Sequence, residues 1–189
     1  MLMDYSFLDL LGKKVLIMGD VGKGKTQYTM KLLKEAIELG FSSEITVVDM
    51  APERKVVKGK FVGGRLFDKR DNRCSIKYLA PFRVETPRLT ATTGEVLLSL
   101  IRINANRIKP LIEEYISAPT PHLFINDISM FLQSGSIDLI INAIDQAETF
   151  IANGYYGRYF LQDYGTGISS REQELMELLA FYMNILIKL

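Results

Sequence analysis

"KKVLIMGDVGKGKTQYTMKLLKEA", residues 13–36, joins an apolar run to a glycine-rich turn and then to a lysine-bearing amphipathic segment. Lys13 to Met18 reads as a buried parallel strand, short and followed at once by glycine. Lys25 to Leu39 has helical spacing, and Gly40 is placed to stop it. Between them, Gly19-x-x-x-x-Gly24-Lys25-Thr26 fits the Walker A phosphate-loop pattern in full, and in the right context.

The chemistry explains the residue types. Glycines let backbone N–H groups point inward without side-chain clash, and a helix N-terminus adds positive potential. Lys25 is then expected to reach the β- and γ-phosphates and Thr26 to hold Mg²⁺ through its hydroxyl, with Gly22 and Lys23 shaping the turn. Gln27 and Tyr28 fall near the α-phosphate or ribose. The nucleotide-binding candidates are Gly19, Asp20, Val21, Gly22, Lys23, Gly24, Lys25, Thr26 and Gln27. The rival reading, a glycine-rich turn with incidental lysines, does not account for the complete pattern between strand and helix.

Working outward, "EITVVDM" and "CSIKYLA" read as further strands and Gly94 to Ser117 as a long amphipathic helix. "HLFINDIS" reads as a fourth strand, Ser136 to Ala152 as a helix, and "RYFLQDYG" as a fifth strand. Ser170 to Met183 reads as a helix and "NILIKL" as a closing strand. Such alternation predicts an α/β, three-layer fold with a mainly parallel sheet. Ligands of such sheets lie beyond the carboxyl ends of the strands, where Gly19, Asp49, Asp127 and Asp163 are expected to converge.

The carboxylates divide by role. Asp127 closes "HLFIND" and is the expected Mg²⁺ carboxylate, working with Thr26; a turn cap is its plainer reading. Hydrolysis needs a group to position water. Glu53, in "VVDMAPER", and Asp49, which ends the second strand, share that expectation with Lys25 as the catalytic set; Pro-Glu-Arg is also ordinary turn composition. Asp163 either senses phosphate or caps its glycine turn, and Arg171 either contacts phosphate or pairs with Glu174. His122, the sole histidine, reads as structural.

Composition bounds the rest. With 189 residues and 48% hydrophobic residues the chain can bury a real core and suits one domain, 1–189. Charges nearly cancel, 23 basic against 22 acidic, which lends no support to nucleic acid or membrane as a partner. Basic residues do gather in a glycine-containing loop at about 52–73, from Arg54 to Arg73, with Phe61 and Phe67 interleaved. It reads as a solvated loop, as a lid over an anionic small-molecule acceptor, or as a contact with nucleic acid or a second copy of the chain. Downstream, Arg83 and Arg88 are candidates for an arginine acting across a homo-oligomer interface. A single cysteine, Cys74, and the absence of a secretory pattern or a bilayer-length apolar run lead to a cytoplasmic expectation.

The phosphate loop, the strand ending in Asp49 near Glu53, and "FIND" together resemble P-loop NTPases of the RecA-like branch. Within that branch, "LFINDIS" and "RYFLQDYGTGISSRE" resemble the cobinamide kinase and cobinamide-phosphate guanylyltransferase enzymes, where a strand ends in an acid before a Gly-x-Gly turn and an arginine-bearing helix. Asp163, Gly165, Gly167 and Arg171 match in kind. Those enzymes carry GMP on a histidine after the second strand. Residues 49–73 contain none, so the resemblance implies at most kinase chemistry. The expectation is Mg²⁺-dependent binding and hydrolysis of a nucleoside triphosphate, ATP before GTP. A small-molecule kinase and a non-catalytic nucleotide-binding module stand as alternatives.

Overall fold

The computed structural model describes residues 4–57, 60–67, 75–160 and 162–189. Arg73 and Cys74, named above, lie outside the described residues, as do residues 58–59 and 68–72 of the basic loop.

Six strands form one sheet: β1 (Lys14–Gly19), β2 (Ile45–Asp49), β5 (Lys77–Leu79), β6 (His122–Asn126), β7 (Thr149–Tyr155) and β8 (Ile185–Lys188). Their order is β5-β2-β6-β7-β1-β8, and every pairing is parallel. A separate antiparallel hairpin, β3 (Lys55–Val57) with β4 (Lys60–Val62), projects from the loop after β2.

Both faces of the sheet are covered, which is why its strands are apolar on successive residues rather than alternate ones. On one face Val15, Ile17, Val47, Phe124 and Ile151 pack against Leu32, Leu33 and Ala36 of helix α1 (Lys25–Glu38) and against Phe7 and Leu10 from the N-terminal turn. On the other face Leu16, Met18, Val48, Leu123, Ile125, Phe150 and Ala152 meet three helices. These are α3 (Gly94–Ser117), α5 (Ile137–Gln146) and α6 (Ile168–Ala180). Two single-turn helices, α2 (Pro87–Thr90) and α4 (Ser129–Leu132), complete this layer. The result is the three-layer parallel α/β arrangement expected from the RecA-like resemblance.

Helix α3 spans the residues its periodicity indicates. Thr93 caps it, its hydroxyl accepting from Val96 N at 3.3 Å. Pro110 lies inside the helix on its exposed side, where it removes one i→i−4 hydrogen bond.

Two expectations fail together. The helix expected over 136–152 stops at Gln146, and residues 149–155, "TFIANGY", are the strand β7. A short apolar run buried on both faces has no period that separates strand from helix. The segment expected as the fifth strand, "RYFLQDYG", is not a strand among its described residues, and Asp163 therefore ends no strand. The strand at that place in the sheet is β7, seated between β6 and β1.

Candidate functional site

The loop between β1 and α1 needs backbone that only glycine adopts without strain. Gly22 has φ 76° and Gly24, which caps α1, has φ 87°. Lys25 then lies in the first turn, with its Nζ donating to the Asp20 carbonyl at 2.8 Å. Burial pulls the Lys25 ammonium below its ordinary pKa, while Asp127 and Asp20 work the other way. Asp20 is held in turn. Burial would raise its carboxyl, but the amides of Val21, Arg158 and Tyr159 outweigh burial and keep it below the ordinary carboxylate value. Gly157 permits that wrap, since a Cβ there would meet Asp20 Cγ at 2.4 Å.

Asp127 follows β6 with φ 58°, a left-handed conformation rare outside glycine. The end of β7 holds it there: Asp127 N donates to Asn153 Oδ1 at 3.1 Å, and Ile128 N donates to Asn153 O at 2.9 Å. Its Oδ1 accepts from Ser129 Oγ at 2.8 Å, and its Oδ2 accepts from none of the described residues. Burial raises the Asp127 pKa, against the Ser129 hydrogen bond and the Lys25 charge.

Beneath both runs a buried polar chain. Asn153 Nδ2 donates to Thr29 Oγ1 on α1 at 2.8 Å and to Asn126 Oδ1 on β6 at 2.9 Å. Asn126 Nδ2 donates to Asp49 Oδ1 at 2.8 Å and to Gly64 O at 3.0 Å. Asp49 also accepts from Ala51 N, Leu66 N and the Tyr78 hydroxyl, so four donors fill its acceptor sites. Burial raises its pKa against those four bonds. Its surroundings are those of a structural anchor, with no lone pair left to aim at water.

The structure thus brings together Gly19 to Thr26, Asp127 and the ends of β6 and β7. Lys23, Lys25, Thr26, Gln27 and Asp127 line a cleft of about 1040 Å³ walled by α1 on one side and the β3–β4 hairpin on the other. On the hairpin the Arg54 guanidinium lies 3.7 Å from the Phe61 ring centroid. Glu53 is exposed and does not line the cleft. Asp163 caps α6, its Oδ2 accepting from Ser169 N at 3.2 Å and its Oδ1 from Gly165 N at 3.0 Å. Arg171 meets neither phosphate loop nor Glu174; its Nη2 donates to Gly135 O at 3.0 Å. Arg83 is an exposed partner of Glu85.

Three groups meet near Asp127: Gln133 and Glu172, which carried no sequence signal, and Arg88, which is buried here rather than exposed for use across an interface between copies. Arg88 and Glu172 form an ion pair at 2.6 Å, with side chains only 5% and 4% exposed. Gln133 Nε2 donates to Glu172 Oε1 at 2.9 Å. Burial pushes the Glu172 carboxyl up to about 7, although Arg88 and Gln133 oppose it. Nothing in an isolated "TPRL" or "SRE" marks residues that meet only after folding.

Among the described residues no group of three or more His, Cys, Asp or Glu side chains is placed to hold a metal by itself, and no helix is long and apolar enough to cross a membrane. No protein-family profile and no curated protein matches the chain. Among solved structures it is similar to the Pif1 helicase from Candida albicans, at 16% identity and a TM-score of 0.36. That alignment covers 94% of this chain and 36% of the helicase, so the chain spans little more than a third of the helicase's length.

Proposed function

We propose that the chain binds a magnesium–nucleoside triphosphate in the main cleft and hydrolyses its terminal phosphate, with ATP expected ahead of GTP. The observation that carries this reading is the pairing of Lys25 and Asp127. One comes from the start of α1 and the other from the end of β6, and each feels the other's charge at the mouth of a glycine-shaped loop. The backbone amides of Gly22 to Thr26 suit the phosphates, and Lys25 adds a positive charge that needs no reorganisation.

The donor set fits Mg²⁺. It is a hard cation that takes oxygen ligands, and Asp127 Oδ2 together with the Thr26 hydroxyl offers them alongside phosphate oxygens. When bound, the ion would neutralise charge on the β- and γ-phosphates. The protein's own share is positioning, by Lys25 and by the fixed turn at Asp127.

Calorimetry with Mg·ATP and Mg·GTP tests the reading, followed by nucleoside diphosphate release. Lys25→Ala should abolish turnover. Absence of binding to either nucleotide, or turnover unchanged in Lys25→Ala, would overturn it.

A small-molecule kinase is a second reading, favoured by the size of the cleft. At about 1040 Å³ it reaches past the phosphate loop along α1 to Lys34 and Glu38, opposite Arg54 and Phe61. That leaves room for an anionic acceptor beside the nucleotide. Diphosphate release that depends on an added acceptor would favour it.

A further inference from the structure

A second cavity, of about 60 Å³, shares Asp127, Tyr155 and Phe160 with the main cleft but not the phosphate loop. Arg88, Gln133 and Glu172 supply its polar wall. Arg88 Nη1 donates to Phe160 O at 3.2 Å, and its Nη2 has the Glu172 ion pair without a well-angled hydrogen bond. Two further atoms of that wall, Arg88 Nε and Gln133 Oε1, are buried and meet no hydrogen-bond partner among the described residues. Buried polar groups are nearly always paired, so a donor and an acceptor left open in one wall point to an occupant.

The cavity has room for a few water molecules. A water has the matching complement. One O–H can donate to Gln133 Oε1 and the other to Glu172, which among the described residues accepts from Gln133 and is ion-paired with Arg88, and so keeps acceptor capacity. One lone pair can accept from Arg88, which leaves the other for a terminal phosphorus beside Asp127. An alcohol has a single hydrogen and would leave one acceptor unmet.

The other carboxylates are poorly placed. Asp49 is filled, Glu53 lies outside the cleft, and Asp127 is followed by Ile128 rather than a second acid. Glu35 and Glu38 do line the cleft, but they sit roughly 15 Å or more along α1 from Lys25. Glu35 already accepts from Phe7 N.

We propose that this cavity seats the attacking water of the nucleotide reaction, and that Glu172 takes its proton. The inference rests on the hydrolytic reading above. The water oxygen forms a bond to the terminal phosphorus, and its proton passes to the Glu172 carboxylate. The bond from that phosphorus to the bridging oxygen breaks, and its electron pair leaves with the diphosphate. Arg88 and Gln133 hold the water and the carboxylate in line. The raised Glu172 pKa suits a base working near neutrality, and the charged groups around it are Arg88 of α2 and Asp127 after β6.

The test measures Mg·ATP binding and turnover in ¹⁸O-labelled water. Glu172→Gln should lower kcat by about a hundred- to ten-thousandfold while the Kd for Mg·ATP stays within about threefold. The wild type should gain activity through an acidic limb near pH 7, and the variant should lose that limb. Should Glu172→Gln fail to fold, Glu172→Asp decides: it keeps a charge for Arg88 but withdraws the carboxylate, and kcat should fall at least tenfold. Turnover within threefold of wild type in whichever variant folds overturns the proposal, as does released phosphate that carries no ¹⁸O. Wild-type protein that binds no nucleotide overturns the hydrolytic reading as well, which separates the two failures.

Discussion

Asn153 of β7 donates through Nδ2 to Asn126 Oδ1 of β6 at 2.9 Å, while its own Oδ1 accepts from Asp127 N at 3.1 Å. One amide therefore fixes both the strand that carries the candidate metal carboxylate and the turn that presents it. Its remaining bond, to Thr29 Oγ1, reaches the helix behind the phosphate loop.

Asn153→Ala should be among the most damaging single changes. It strips buried partners from Asp127 N, Asn126 and Thr29, and each unpaired buried group costs about 1–3 kcal/mol. Allowing for partial relaxation, a loss of about 2–4 kcal/mol is expected in denaturant unfolding. An effect below about 1 kcal/mol would show that the polar chain is replaceable.

Asp127→Asn separates metal use from folding. Burial disfavours the ionised carboxylate, so its contribution to stability is present at low pH and lost as pH rises through its raised folded pKa. At pH 7.5 the neutral amide should melt at a higher temperature than wild type. Turnover should fall by about a hundred- to a thousandfold, and magnesium should no longer tighten nucleotide binding. Retained magnesium dependence would remove Asp127 from the metal site.

His122 lies edge-on to Phe7 and Phe41, with both ring nitrogens buried and unpartnered among the described residues. Burial depresses its pKa below 6.5, with Glu44 and Glu148 opposing. The unfolded chain then binds the extra proton more readily, so stability is present above pH 6.5 and lost as pH falls below it. His122→Leu should lose fewer degrees of Tm than wild type between pH 7.5 and pH 5.5. Equal losses would show that the ring is not the acid-sensitive group.

Asp163→Ala tests the difference between cap and phosphate sensor. Removal of the bonds to Gly165 N and Ser169 N should cost about 1 kcal/mol of stability. Turnover per folded molecule should stay at the wild-type level. A large fall in kcat with unchanged stability would return Asp163 to the active site.

The glycine-rich turn was legible because its geometry is local: Gly22, Gly24, Lys25 and Thr26 lie within one strand-turn-helix unit. Helix α3 was legible for a similar reason, since Thr93 marks its start and the apolar spacing runs unbroken to Tyr115. Strand β7 was not. No glycine or proline separates it from α5, and Ala147 and Glu148 form the whole boundary. Asp49 was misjudged as a water-positioning candidate because a carboxylate at a strand end looks alike whether it faces solvent or four donors. Arg88 and Glu172 stood far apart in the chain, and only the folding that brings α2 and α6 to one cavity joins them.

The β3–β4 hairpin has a pinned root. Gly64 N donates to Pro52 O at 2.9 Å, Gly64 O accepts from Asn126, and Leu66 N donates to Asp49 Oδ2 at 2.7 Å. Gly63 sits so close that a Cβ would lie 2.8 Å from Pro52 O. Any swing of Arg54 and Phe61 toward α1 must therefore pivot about a fulcrum bolted to the sheet. A lever of that kind would carry Arg54 and Phe61 across the cleft mouth while the strand ends that form the floor stay level.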